Sequence, residues 1–135
     1  MTTTLLDTSV YCQPLKQRPL VATMRKWEVL GNEALAISSV CEAELLYGLA
    51  KKNSPSLFEE YHAVLEDRLL LIPFDKECAR SFADIKAAME KQREPLSDAD
   101  LMIAATAITN RLTLVTLNLR NFEKIPGLHV EDWSQ

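Results

Sequence analysis

The residues best equipped for chemistry in this 135-residue chain are acids, and they fall as one single and two close pairs: Asp7, Glu42 with Glu44, and Asp98 with Asp100. Asp7 closes the short apolar run Thr3-Thr4-Leu5-Leu6 and is followed by the hydroxyls of Thr8 and Ser9. That run reads as a buried strand, and in an open α/β sheet ligands bind just beyond the carboxyl ends of the strands. An Asp there points into the crevice, although Asp, Ser and Thr also cap helices and fix turns. Convergence decides between the two, because isolated caps do not gather at one edge.

Each pair of acids poses the same question. Residues two apart on a helix lie about 200° apart around it, so only one acid of each pair can face a shared site. Ser39-x-x-Glu42 has the form of a capping box, in which the Glu reaches back to the N–H of the cap. Glu42 then has a structural task and Glu44 has none assigned. Ser97-x-x-Asp100 has the same outline with Asp in place of Glu, which would give Asp100 to structure, and local rules do not choose between Asp98 and Asp100. The positive end of the helix dipole would keep either ionised, as a metal ligand must be. Thr116 and Asn118 offer a hydroxyl and an amide at the end of another apolar run, where a polar turn is the plainer account.

The elements that must position these groups alternate. Strands are expected at Thr3–Leu6, Glu33–Ile37, Leu69–Ile72, Leu112–Thr116 and Leu128–Glu131, the third as a continuous apolar run of the kind found in buried parallel strands. Helices are expected from Leu15 to Gly31, from a cap at Ser38 or Ser39 to about Ala50, from Pro55 onward, from Asp75 to about Arg93, and from Ser97 to Asn110. Glu94-Pro95-Leu96 reads as the linker between the last two, and Asn118 to Phe122 as a turn. The expected fold is α/β, a three-layer sandwich with a mostly parallel central sheet of four to five strands, covered on both faces. The length fits one domain over residues 1–135.

Composition narrows the function. No apolar run is long enough for a membrane span and no leader pattern opens the chain, so a soluble cytoplasmic protein is expected. Cys12, Cys41 and Cys78 are odd in number and scattered, which suggests neither a disulfide framework nor a zinc knuckle. A net charge of -4 argues against a general electrostatic grip on nucleic acid. It is compatible with a nuclease whose acids crowd one site, since a bound cation reverses the local sign. Lys16, Arg18, Lys51, Lys52 and Arg120 could then supply a basic rim.

Nearly the whole chain resembles the PIN-domain ribonucleases, in particular the VapC-type toxins of bacterial toxin–antitoxin pairs. The resemblance is carried by Leu5-Leu6-Asp7-Thr8-Ser9, by Ile37-Ser38-Ser39 leading to Glu44-Leu45-Leu46-Tyr47-Gly48, by Asp100-Leu101-Met102-Ile103-Ala104-Ala105, and by Leu114-Val115-Thr116-Leu117-Asn118 with Arg120 and Phe122. The tail Ile125-Pro126-Gly127-Leu128 and Glu131-Asp132-Trp133 continues it. It implies that Asp7, Glu44 and Asp100 are the acidic triad, that Asn118 stands where many relatives carry a fourth acid, and that Ser9 and Thr116 are hydroxyls behind the metal-bound water. It also implies an RNA substrate, a small antitoxin that wraps the protein and blocks its site, and a homodimer.

Three carboxylates about 5 Å apart would repel by roughly 3 kcal/mol per pair at an effective dielectric of 20. Summed, that rivals a typical folding stability of about 5–15 kcal/mol, so protons or a cation must offset it. Oxygen ligands without His or Cys favour Mg²⁺ or Mn²⁺ over zinc. Such an ion suits phosphodiester hydrolysis, with Asp7 and Asp100 making most of the contacts and Glu44 binding metal or orienting water. Two rivals remain. A phosphoryl-transfer enzyme with Asp7 as nucleophile would want a second Asp where Ser9 stands, and a non-catalytic binding module would carry the acids as a degenerate site.

Overall fold

The apolar runs of the sequence become the strands of one sheet. In the computed structural model, which describes residues 1–93 and 96–135, these are β1 (Thr4–Leu6), β2 (Leu35–Ser38), β3 (Leu70–Ile72), β4 (Thr113–Thr116) and β5 (Val130–Asp132). Their order is β3-β2-β1-β4-β5 and each neighbouring pair is parallel. Helices cover both faces: α1 (Thr8–Tyr11), α2 (Val21–Leu30), α3 (Ser39–Lys52), α4 (Pro55–Val64), α5 (Lys76–Lys91), α6 (Asp98–Thr109) and α7 (Leu119–Phe122). The sandwich expected from the alternation is present, with all five strands parallel.

The central strands are buried on both sides, which is why they read as unbroken apolar runs rather than as alternating ones. Leu5, Leu6, Leu35, Ile37, Leu114 and Val115 pack with Ile103, Ala104, Ala105 and Ala107 of α6 in one hydrophobic cluster. Each fully buried Leu or Ile contributes about 1.5–3 kcal/mol. The alanines of α6 let it lie close to its neighbours, and Leu101 and Ile103 through Ala107 are buried, as its nearly uniform apolar sequence demands.

Strand order places the functional edge. The chain runs outward from β1 through β2 to β3, then returns to the other side of β1 with β4 and β5, so the order reverses between β1 and β4. Leu6 lies opposite Val115 at that junction. Ligand crevices of parallel sheets form at such a reversal, outside the carboxyl ends of the two strands.

Several expectations need correction. The helix expected from Leu15 is divided: a 3₁₀ turn covers Gln13–Leu15 and α2 begins only at Val21. Pro19 explains the break, because it holds Arg18 out of the helical region and has no N–H to donate. A second 3₁₀ turn, Asn32–Ala34, occupies the start of the strand expected at Glu33. β3 is parallel but not buried; it is an edge strand paired only with β2, and Leu70 and Leu71 are 55% and 44% exposed. The turn at Asn118 to Phe122 is the short α7, and the last strand starts at Val130 rather than Leu128. Of the expected linker, Glu94 and Pro95 lie outside the described residues.

Candidate active site

Asp7 is where β1 stops. Its backbone N–H still donates to Val115 O at 3.0 Å, and its own carbonyl accepts from Tyr11 N as α1 begins. The side chain caps α1 by accepting from Val10 N at 3.1 Å. The cap is present, and the same carboxylate lies at the strand reversal. Ser9 donates to Oδ1 at 2.6 Å and Thr116 donates to Oδ2 at 2.5 Å. These hydroxyls are themselves fixed by the end of β4: Leu117 N donates to Ser9 Oγ at 3.0 Å and Asn118 N to Thr116 Oγ1 at 2.9 Å. Only 4% of Asp7 is exposed. Burial pushes its carboxyl above the ordinary 3.8, while the bonds from Ser9, Thr116 and Val10 pull it back.

The two acids of α3 part as helical geometry requires. Thr8 donates to Glu44 Oε1 at 2.5 Å, which ties Glu44 to the residue after Asp7. Glu42 turns the other way and accepts from the hydroxyls of Tyr11 and Tyr61. It is a structural acid, but not through the expected capping box. α3 is capped by Ser38, whose Oγ accepts from Cys41 N at 3.0 Å, so the position a capping acid needs is held by Cys41. Ser39 Oγ instead accepts from Phe74 N at 3.0 Å.

The pair at the start of α6 also divides. Asp98 points away to Lys86 of α5 at 2.9 Å on the surface. Asp100 is the inward member: burial, with Glu44 and Asp7 nearby, drives its carboxyl above 3.8, while the Ser97 hydroxyl opposes this. Ser97 also accepts from Asp100 N at 3.1 Å, so Asp100 belongs both to the cap and to the acid cluster. Asn118 follows β4 at the same edge, with an exposed side chain that makes no cap bond to α7.

Asp7, Glu44 and Asp100 therefore share one electrostatic neighbourhood although they are remote in sequence. Among the described residues no three His, Cys, Asp or Glu side chains stand ready around a single point. Thr8 holds Glu44 at one oxygen, and among the described residues the other has no hydrogen-bond partner. The donor set is all oxygen, which fits a hard divalent cation and gives nothing for a soft one. Two contacts were not anticipated from sequence, the bond from Thr8 to Glu44 and the anchoring of Glu42 by Tyr61. The Thr8 hydroxyl was legible beside Asp7 but its partner Glu44, on another element, was not; Tyr61 carries no local signal.

The parallel sheet thus reverses at β1 and β4 and brings three acids to that edge. The sequence pattern of the PIN domain matches residues 4–128, and the chain belongs to that family. Within it the chain is of the VapC type. It is 36% identical over 132 residues to Ribonuclease VapC2 of Haemophilus influenzae, covering 96% of each chain. It is 35% identical over 133 residues to the tRNA(fMet)-specific endonuclease VapC of Shigella flexneri, covering 96% of this chain and 97% of that one. Among solved structures it resembles the DNA-bound VapBC of Salmonella typhimurium, with a TM-score of 0.86 and 31% identity over 98% of this chain and 99% of that chain.

Proposed function

We propose that the chain is a divalent-cation-dependent endoribonuclease that hydrolyses RNA phosphodiesters at the Asp7–Glu44–Asp100 edge, as the toxin of a VapBC-type pair. The observation that carries this reading is the crowding of three acids from β1, α3 and α6, where Glu44 and Asp7 each make Asp100 harder to ionise. Mg²⁺ or Mn²⁺ bound there would supply an electrophile for the scissile phosphate and a more acidic water. Asp7, its oxygens fixed by Ser9 and Thr116, presents a carboxylate that does not have to reorganise. Glu44, held by Thr8 at one oxygen, has the other to orient water or to join Asp7 and Asp100 as a ligand. Asn118 is neutral where many relatives carry an acid, so it positions water or phosphate without adding charge.

The partners follow from the same family. A small antitoxin is the expected inhibitor and a homodimer the expected assembly, in the cytoplasm. Among the described residues no helix is long and apolar enough to cross a membrane. Relatives 35% identical are named for tRNA(fMet), which makes tRNA the first substrate to try. The test is cleavage of tRNA and of fluorescent RNA by the purified, partner-free protein in Mg²⁺ or Mn²⁺. Activity that disappears in EDTA and in Asp100→Asn is expected. Full activity in Asp100→Asn would remove that residue's assignment, and partner binding without any cleavage would favour the non-catalytic module.

A further inference from the structure

A trough leads away from the acids. Its nearer part is a cavity of about 240 Å³ whose walls come from α1 with the following 3₁₀ turn on one side and from α3 on the other. Thr8 and Glu44 close one end, and Lys16 and Lys52 flank the other. Beyond the lysines it opens into a hollow of about 770 Å³ that Lys16 and Lys52 also line, together with Ser54, Ser56 and Glu60.

Two features mark the trough as a place for a ligand. Neither Lys16 nor Lys52 has an ion pair among the described residues, although both are exposed and Glu44 and Glu60 line the same hollows. Their charge is felt inside the trough, where both lysines lower the Cys12 thiol while burial and Asp7 raise it. The second feature is Gly48, one turn beyond Glu44 on α3. Glycine weakens a helix interior, yet a Cβ there would meet nothing within 4 Å and the backbone is not in the left-handed region. The protein has no packing need for a glycine at this point; the space above it belongs to the trough.

We infer that the trough between α1 and α3 carries the stretch of single-stranded RNA next to the scissile bond, with Lys16 and Lys52 holding its backbone phosphates and the room over Gly48 receiving a sugar or base. Glu44 and Lys52 are eight residues apart on α3, about 12 Å at 1.5 Å per residue. That separation places the lysines for a phosphate next to the one at the acids. The chemistry suits an extended polyanion: cationic where Lys16 and Lys52 flank it, aliphatic between there and Glu44 through Leu45 and Leu49, and open beyond the lysines. This inference rests on the ribonuclease reading, and its test is built to fail separately.

The measurement is fluorescence anisotropy of a short labelled single-stranded RNA in EDTA, where binding does not depend on cleavage. Lys16→Gln and Lys52→Gln are expected to weaken binding about 3- to 10-fold each and to flatten the log–log salt slope by about 0.7 apiece. Lys52→Arg should restore the slope. Gly48→Ala should bind almost as the parent does, while Gly48→Leu should weaken binding with no loss in melting temperature. Unchanged affinity and slope in the double lysine variant would overturn the inference, as would absence of RNA binding by the parent. So would loss of antitoxin binding in that variant with RNA affinity intact, which would assign the trough to a peptide. Lysine-dependent RNA binding by a parent that cleaves nothing in Mg²⁺ or Mn²⁺ would sustain the trough and sink the nuclease reading instead.

Discussion

The hydroxyl of Thr8 donates to Glu44 Oε1 at 2.5 Å, and Thr8 is the residue that follows Asp7. The turn that ends β1 therefore sets two acids at once, one by its own carboxylate and the other by its neighbour's hydroxyl. Thr8→Val keeps the shape of the side chain and removes the donor, which frees Glu44 to leave its position. Loss of a partner that orients a metal ligand typically lowers metal affinity or activity by about 10- to 100-fold. The expected outcome is a shift of that order in the Mn²⁺ concentration that half-saturates RNA cleavage, with Thr8→Ser close to the parent. An unaltered Mn²⁺ curve in Thr8→Val would reduce the contact to a structural one.

Glu42 faces the opposite way and is expected to matter for stability alone. It accepts from Tyr11 and Tyr61, which are 1% and 3% exposed, so removing it strands two buried hydroxyls. Both phenols are held above their usual range, by burial first and then by Glu42, which keeps them as donors. Glu42→Ala should lower stability by about 1–3 kcal/mol, read as a drop in the urea midpoint, while kcat on RNA stays within about twofold in the folded fraction. A large fall in kcat at unchanged stability would mean that the two acids of α3 had been assigned the wrong way round.

These two acids show what local sequence can and cannot carry. Helical periodicity alone separates Glu42 from Glu44, because 200° of rotation admits no exception over two residues. Which serine caps α3 was less legible, since Ser38 and Ser39 are equally good caps and only the end of β2 chooses Ser38. At the start of α6 the capping outline is present but does not decide the role: Asp100 keeps its cap contact and lies near the other acids, and Asp98 leaves for Lys86, a partner on another helix. The exposure of Leu70 and Leu71 was out of reach for the same reason, because a strand's place in the sheet depends on long-range order and not on its own residues.

Asn118 gives a prediction of opposite sign. It lies at the carboxyl end of β4 beside Thr116, whose Oγ1 accepts from its backbone N–H, and its side chain is exposed. Asn118→Asp adds a fourth carboxylate to an edge where Asp7 and Asp100 are already raised above 3.8 by burial. In EDTA the variant should melt lower than the parent, and in millimolar Mn²⁺ the difference should shrink or reverse. A ligand at a hundred times its dissociation constant adds about 2.7 kcal/mol. Equal melting temperatures for the two proteins in both buffers would place Asn118 outside the electrostatic reach of the site.

The same crowding fixes how stability depends on pH. Asp7 and Asp100 both have carboxyls raised above 3.8 in the folded protein, mainly by burial. A raised carboxyl means that the folded state binds its proton more tightly than the unfolded chain does, so the contribution is full below the unfolded value and is lost as pH rises through the folded one. Asp75 and Asp132 are shifted the other way, by hydrogen bonds to Cys78 and Ser134 respectively; their contribution is present above 3.8 and lost only in stronger acid. In the window just above the ordinary carboxyl value of 3.8 the raised pair therefore sets the sign among these four groups. Asp100→Asn removes one member, and comparison with the parent cancels the titrating groups outside the Asp7–Glu44–Asp100 cluster. In EDTA the variant should gain on the parent as pH rises across this window, and Mn²⁺ at pH 7 should restore much of the parent's deficit. A difference in melting temperature that stays flat with pH would show that Asp100 ionises freely, and the electrostatic demand for a cation at this edge would go with it.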